Sequence, residues 1–176
     1  MRIGFSGTHG VGKTTIANLV SKELDIPLLS EVARSISEQG FLIASKNSVT
    51  STQAQLAIFG MQMLEEQRLY PNYVSDRTML DALAYTDTLC SYDNILCNMY
   101  TSLENFVLEY VKNMYDIIFY VPIRFDVVDD GFRDISNYRD VVDDILQEIL
   151  DKYLGKVVLI DGSSNEMLKK VLKEVI

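Results

Sequence analysis

The chain has 176 residues, a length suited to one domain with a full core. Hydrophobic residues make up 48% and charged residues 23%, the balance expected of a globular protein in water, and no apolar run approaches the length of a membrane span. The formal net charge of −9 disfavours a broad nucleic-acid-binding face, although it leaves room for a local basic cleft.

The first predicted element is a short apolar strand, Arg2-Ile3-Gly4-Phe5-Ser6. Gly7-Thr8-His9-Gly10-Val11-Gly12-Lys13-Thr14 follows and fits G-x-x-x-x-G-K-[ST] at every fixed position. Ile16, Leu19, Val20 and Leu24 then recur at helical spacing. Strand, glycine-rich turn and helix form the context in which such a loop cradles phosphates. The glycines let the backbone approach closely, and the N–H groups converge on anionic oxygens at a helix N-terminus. Lys13 suits the β- and γ-phosphates of ATP, and the Thr14 hydroxyl suits Mg²⁺. Gly7, Gly10, Val11, Gly12 and Thr15 complete the predicted nucleotide-binding set, with Thr15 near the α-phosphate. His9, the one histidine, fills a variable position of the loop.

Further along, Pro27 to Ser30 reads as a second strand, and Glu31 to Gln39 as a helix stopped by Gly40. Ser45 to Ser51 reads as a polar loop. Ser51 or Thr52 then caps a helix to about Tyr70, with Leu56, Phe59, Met63 and Leu64 expected on its buried side. Gln53 and Gln55 on that helix are either surface residues or readers of a nucleobase edge. Tyr73 to Ser75 forms a third strand ending at Asp76. Thr78, with Asp81 three residues on, is a capping box for a helix to about Cys90.

Asn98 to Met114 reads as helix and Asp116 to Val121 as an apolar strand closed by Pro122. A long polar segment follows, too long for a minimal connection. Arg124, Arg133 and Arg139 fall in or just beyond it, and a lid is expected over about 122–139. Tyr138 to Leu154 is helical, with Val141, Val142, Ile145, Ile149 and Tyr153 on one face. Lys156 to Ile160 is the last strand. Gly162 turns into a final helix through Met167, Leu168, Val171 and Leu172.

Five strands separated by helices predict an α/β fold, a parallel sheet flanked by helices on both faces, with the whole chain, 1–176, as one domain. Ligands gather at the carboxyl ends of such strands. Glu31 and Asp76 therefore become candidates for the general base, and Asp76 also for Mg²⁺. Arg34, Arg77, Arg124 and Arg139 become candidates for acceptor binding, and Arg133 for charge stabilisation during transfer. Gly162 and Ser163 could wrap an adenine by backbone contacts. Cys90 and Cys97 show neither metal spacing nor a disulfide framework, so a cytoplasmic setting is expected. With a strand at its start, the chain is expected to carry no signal peptide.

With these residues in place, the chain resembles the small P-loop kinases of nucleosides, nucleotides and related metabolites. Asp76-Arg77-Thr78-Met79-Leu80-Asp81-Ala82-Leu83-Ala84-Tyr85-Thr86 is similar to the D-R-[YS]-x-x-S-x-x-A-Y-Q segment of thymidylate kinases. It departs at Thr78, Asp81 and Thr86. Glu31-Val32-Ala33-Arg34 and Asp130-Gly131-Phe132-Arg133 resemble a second branch, the single-domain AAA-type ATPase/kinase group related to ribosylnicotinamide kinase, which includes bacteriophage-encoded kinases. In that branch the Asp-Gly-x-Arg segment forms the lid.

The resemblance implies an ATP- and Mg²⁺-dependent phosphotransferase. Lys13, Thr14 and Asp76 would serve ATP·Mg²⁺, and Glu31 or Asp76 the acceptor hydroxyl. Arg34 and Arg77 would hold a nucleotide or nucleoside, and Arg133 would close over the γ-phosphate. Three alternatives stay open: a kinase of 5-hydroxymethylated pyrimidines in DNA, a ribosylnicotinamide or other metabolite kinase, and an ATPase without a small-molecule acceptor. The last has no second module to drive, and the chain lacks the Asn/Thr-Lys-x-Asp pattern that reads guanine. A homodimer is compatible with the sequence.

Overall fold

The computed structural model describes residues 1–43, 50–124 and 138–176. Five parallel strands form one sheet in the order β2-β3-β1-β4-β5: β1 (Arg2–Ser6), β2 (Leu28–Leu29), β3 (Tyr73–Ser75), β4 (Ile117–Tyr120) and β5 (Val157–Leu159). Seven helices connect and cover them: α1 (Lys13–Leu24), α2 (Val32–Glu38), α3 (Thr52–Leu69), α4 (Met79–Thr88), α5 (Asn94–Met114), α6 (Tyr138–Lys152) and α7 (Ser164–Val175).

The strands are short and apolar because both faces are covered, and their alternation divides the core in two. Ile3, Phe5, Val74, Ile117 and Phe119 point to the face packed by Ile16, Ala17 and Val20 of α1 and Met167 and Val171 of α7. Tyr73, Ile118 and Tyr120 point to the other face, against Leu80 and Leu83 of α4, Val107 and Val111 of α5, and Val142, Leu146 and Ile149 of α6. Gly4 lies between them on β1. A Cβ there would stand 2.6 Å from the Thr78 methyl and 2.9 Å from the Tyr115 ring, so a bare backbone lets α4 begin against the central strand.

The capping signals fold as read. Ser51 accepts from the Ala54 N–H at the start of α3, and Thr78 with Asp81 forms the capping box of α4. Helix α5 begins four residues before the expected Asn98, because Asp93 accepts from the Ile95 N–H.

Two predicted faces need correction. On α3, Leu56 and Leu64 are 60% and 67% exposed, whereas Ala54, Gln55, Phe59, Gln62 and Glu66 turn inward. The inner face is polar because it has buried partners. The Gln62 amide donates to Glu66 Oε1 at 2.8 Å, Ser75 Oγ at 3.1 Å and the Arg77 carbonyl at 3.3 Å, and the Tyr115 hydroxyl donates to Glu66. On α6, Val141 is exposed and the inward stripe runs Arg139, Val142, Asp143, Leu146, Ile149. Asp143 is held there by the Tyr120 hydroxyl at 2.8 Å.

The candidate nucleotide site and its relatives

The loop between β1 and α1 begins with a backbone turn that demands glycine. Gly7 has φ 151°, and a Cβ on it would stand 2.5 Å from the Val121 carbonyl at the end of β4. Among the described residues, the N–H groups of Gly10, Val11 and Gly12 make no hydrogen bond, whereas those of Gly7 and His9 are taken up by Asp81 and Tyr85. Gly10, Gly12 and the start of α1 border a cavity of about 270 Å³ at the carboxyl edge of the sheet. Lys13, Thr14, Thr15, Glu31, Asp76 and Arg77 line the same cavity, so separate stretches of sequence converge on one cleft.

Lys13 is buried, and its ammonium donates to the carbonyls of Gly7 and Thr8. Burial, with the positive charge of Arg77 added, pushes it down to about 7. The Thr14 hydroxyl donates to Asp76 Oδ2 at 2.6 Å. Burial raises Asp76 above the usual carboxylate range, against the opposing effects of that hydrogen bond and of Lys13 and Arg77. A hydroxyl and a carboxylate oxygen side by side at the start of α1 form an all-oxygen donor pair of the kind a largely hydrated Mg²⁺ uses, so the residues present fit that ion.

Glu31, on the same cavity, sits at the N-cap of α2, directly after β2. Arg77 reaches it from the end of β3, with Nε donating to Glu31 Oε1 at 2.8 Å. The same guanidinium lies 3.5 Å from Asp81, 3.4 Å from the Gly7 carbonyl, and 5.4 Å above the centre of the Tyr85 ring. Burial acts to lower the Arg77 pKa, but Glu31 above all, with Tyr85 and Asp81, outweighs it and leaves the group above its ordinary value. Thus Arg77 is already engaged by two carboxylates.

The remaining predicted residues divide. Arg139, on the first turn of α6, is buried and its Nε donates to Thr8 Oγ1 at 3.4 Å, which brings it onto the phosphate loop from the far side of the sheet. Arg34 is exposed on α2 and makes no ion pair with another described residue. Arg124 is paired with Asp161, which ties the segment after β4 to the one after β5. Gly162 has φ 115°, and Ser163 is the N-cap of α7 in a capping box with Glu166, so its hydroxyl is engaged. Arg133 and most of the expected lid lie outside the described residues. Gln53 is exposed and Gln55 is buried on α3, and neither lines the cavity.

Sequence reasoning missed Tyr85, whose hydroxyl meets the His9 N–H at 3.2 Å and His9 Nδ1 at 3.1 Å. It also read Asp81 only as a cap. The available signal was their spacing: four residues apart on a helix, both face the loop.

Comparison with known proteins agrees with this fold. No curated protein sequence matches the chain. Among solved structures, it is similar to deoxyadenosine kinase from M. mycoides, with 20% identity, a TM-score of 0.72, and coverage of 99% of this chain and 98% of that one. It is similar to thymidylate kinase from Ehrlichia chaffeensis, with 21% identity, a TM-score of 0.69, and coverage of 99% and 97%. It also matches the NadR protein solved in complex with NR, with 17% identity and a TM-score of 0.76, where 99% of this chain spans 50% of that one. These likenesses show a P-loop fold shared with nucleoside and nucleotide kinases. The AAA domain family model matches residues 2–166, and the chain therefore belongs to that family.

Proposed function

We propose that the protein transfers the γ-phosphate of ATP to a hydroxyl group of a nucleoside or nucleotide. The observation that carries this reading is the placement of Glu31, fixed by Arg77 at 2.8 Å, on the lining of the same cavity as Lys13 and the Thr14–Asp76 pair. A carboxylate there can take the proton of an acceptor hydroxyl or of water, and the partition of label between acceptor and inorganic phosphate separates the two.

In this reading the N–H groups from Gly10 to Thr15 and the Lys13 ammonium hold the triphosphate, and Thr14 with Asp76 holds Mg²⁺. The metal, when bound, screens the charge of the phosphate oxygens. Because Asp76 is assigned with Thr14 to Mg²⁺, Glu31 is the base in this reading. It accepts the acceptor's hydroxyl proton while the oxygen attacks the γ-phosphorus, the bond from that phosphorus to the bridging oxygen breaks, and ADP leaves. Arg77 orients Glu31. Arg139 approaches the loop from α6, and with Arg133 and Arg124 on a lid over about 122–139 it supplies positive charge and excludes water. Backbone groups of Gly162 and Ser163 are the proposed contacts for the adenine.

The acceptor end of the reading follows from Arg77. A monophosphate carries close to two negative charges and needs uncommitted cations, and Arg77 is shared by Glu31 and Asp81. The geometry therefore favours a neutral sugar hydroxyl, as on a nucleoside.

The test is incubation with γ-labelled ATP, Mg²⁺ and a panel of nucleosides, nucleoside monophosphates, nicotinamide riboside and hydroxymethylated duplex DNA. Label on a nucleoside supports the proposal. Label confined to inorganic phosphate, or to DNA, overturns it.

A further inference from the structure

One buried carboxylate connects the two walls of the cleft. Asp81 is 1% exposed, and its two oxygens do different work. Oδ2 serves the helix cap, accepting from the Thr78 N–H at 2.9 Å and from Ser6 Oγ at 2.9 Å. Oδ1 turns away from the cap. It accepts from the Gly7 N–H at 2.9 Å and lies 3.5 Å from the guanidinium of Arg77. One helical turn on, the Tyr85 hydroxyl takes the His9 N–H while its ring lies under Arg77. A helix cap needs only the first oxygen. A serine at this position, as in the thymidylate kinase pattern, offers one oxygen and could not serve both tasks.

We propose that Asp81 and Tyr85 are positioning residues, a brace from α4 that sets the start of the phosphate loop against the Arg77–Glu31 pair. By occupying the Gly7 and His9 N–H groups, the brace fixes the loop so that the N–H groups after them point into the cavity. By holding Arg77, Asp81 fixes the direction in which Glu31 is gripped. The ATP side and the acceptor side are then coupled through one side chain. The effect on turnover rests on the kinase reading, but the effect on nucleotide binding does not.

The test is equilibrium binding of a fluorescent, non-hydrolysable ATP analogue with Mg²⁺ to the wild-type chain, Asp81→Asn, Tyr85→Phe and Asp93→Ala. The Asp81→Asn variant keeps a carbonyl oxygen to cap α4 but presents an amide to the Gly7 N–H and to Arg77. The expected result is a Kd about tenfold weaker in Asp81→Asn and about threefold weaker in Tyr85→Phe. Asp93→Ala, which removes the cap of α5, should lower Tm and leave Kd unchanged. Charge alone predicts the opposite sign, because removing a carboxylate beside an anion site tightens anion binding. An equal or tighter Kd in Asp81→Asn therefore overturns the brace. If that variant does not fold, Tyr85→Phe decides, since it keeps the ring under Arg77 and loses only the hydroxyl. An unchanged Kd there overturns the brace. In turnover, Asp81→Asn should also raise the acceptor KM and lower kcat, and Tyr85→Phe should raise the ATP KM alone. No transfer by the wild-type chain to any acceptor would overturn the kinase reading, and the Kd comparison would still decide on the brace.

Discussion

Replacing Lys13 with methionine should stabilise the nucleotide-free protein while abolishing phosphotransfer. The ammonium is buried against the loop it serves, and its fall from 10.5 to about 7 corresponds to a cost of about 5 kcal/mol for holding the charge at pH 6. The sign is fixed by linkage. The unfolded chain binds the proton more tightly than the folded one, so stability rises with pH between about 7 and 10.5 and the full cost applies below 7. At pH 8 about 3 kcal/mol of the cost remains. Methionine keeps the length and volume of the side chain and removes the charge. Against the gain stands the Thr8 carbonyl, which loses its Lys13 donor at about 1–3 kcal/mol, whereas the Gly7 carbonyl keeps the Arg77 contact. The net gain is about 2–4 kcal/mol at pH 6, or roughly 4–16 °C in Tm for a chain of this size. Thermal unfolding without nucleotide, followed by circular dichroism at pH 6 and pH 8, measures it. The variant should melt above the wild type, by a smaller margin at pH 8, and Mg·ATP should raise only the wild-type Tm. A variant that melts at or below the wild type at both pH values would refute the reasoning, as would a margin that grows with pH.

Glu31→Gln should lower kcat by about 10²–10⁴ and leave the affinity for Mg·ATP unchanged, as read by steady-state rates beside direct nucleotide binding. Thr14→Val removes the hydroxyl beside Asp76, so the Mg²⁺ concentration for half-maximal rate should rise about tenfold in a magnesium titration. Glu66 is fully buried, and burial raises its carboxyl above the ordinary range. The unfolded chain then loses that proton first as pH rises, and stability falls from about pH 4.5 up to the folded value. The Tm advantage of Glu66→Gln should therefore grow from pH 4.5 to pH 8, and a constant difference would contradict it. Gly4→Ala places a methyl against Thr78 and Tyr115 and should cost about 1–3 kcal/mol in chemical denaturation.

What the sequence made legible was local. The phosphate loop, the capping box at Thr78 and Asp81, and the apolar strands each depend on residues within one turn or one strand, and each folds where the pattern puts it. Glu31 and Asp76 were found because strand ends in a parallel sheet share one edge. Other features depend on distant partners. Leu56 and Leu64 looked like core because a hydrophobic stripe was expected, yet Gln62 and Glu66 take the inner face once Ser75, Tyr115 and the Arg77 carbonyl satisfy them. No spacing rule joins Arg139 to Thr8 across 131 residues. Arg77 looked like an acceptor clamp, and only the fold shows it held by Glu31 and Asp81.

The central claim is that Glu31 directs the γ-phosphate to a sugar hydroxyl rather than to water. The most direct measurement is the partition of label from γ-labelled ATP between nucleoside and inorganic phosphate, in the wild type and in Glu31→Gln under the same conditions. The prediction is that the wild type sends most label to the nucleoside and that the variant loses this transfer, with ATP binding unchanged. Equal partition in the two proteins, or label only in inorganic phosphate from the wild type, would contradict it.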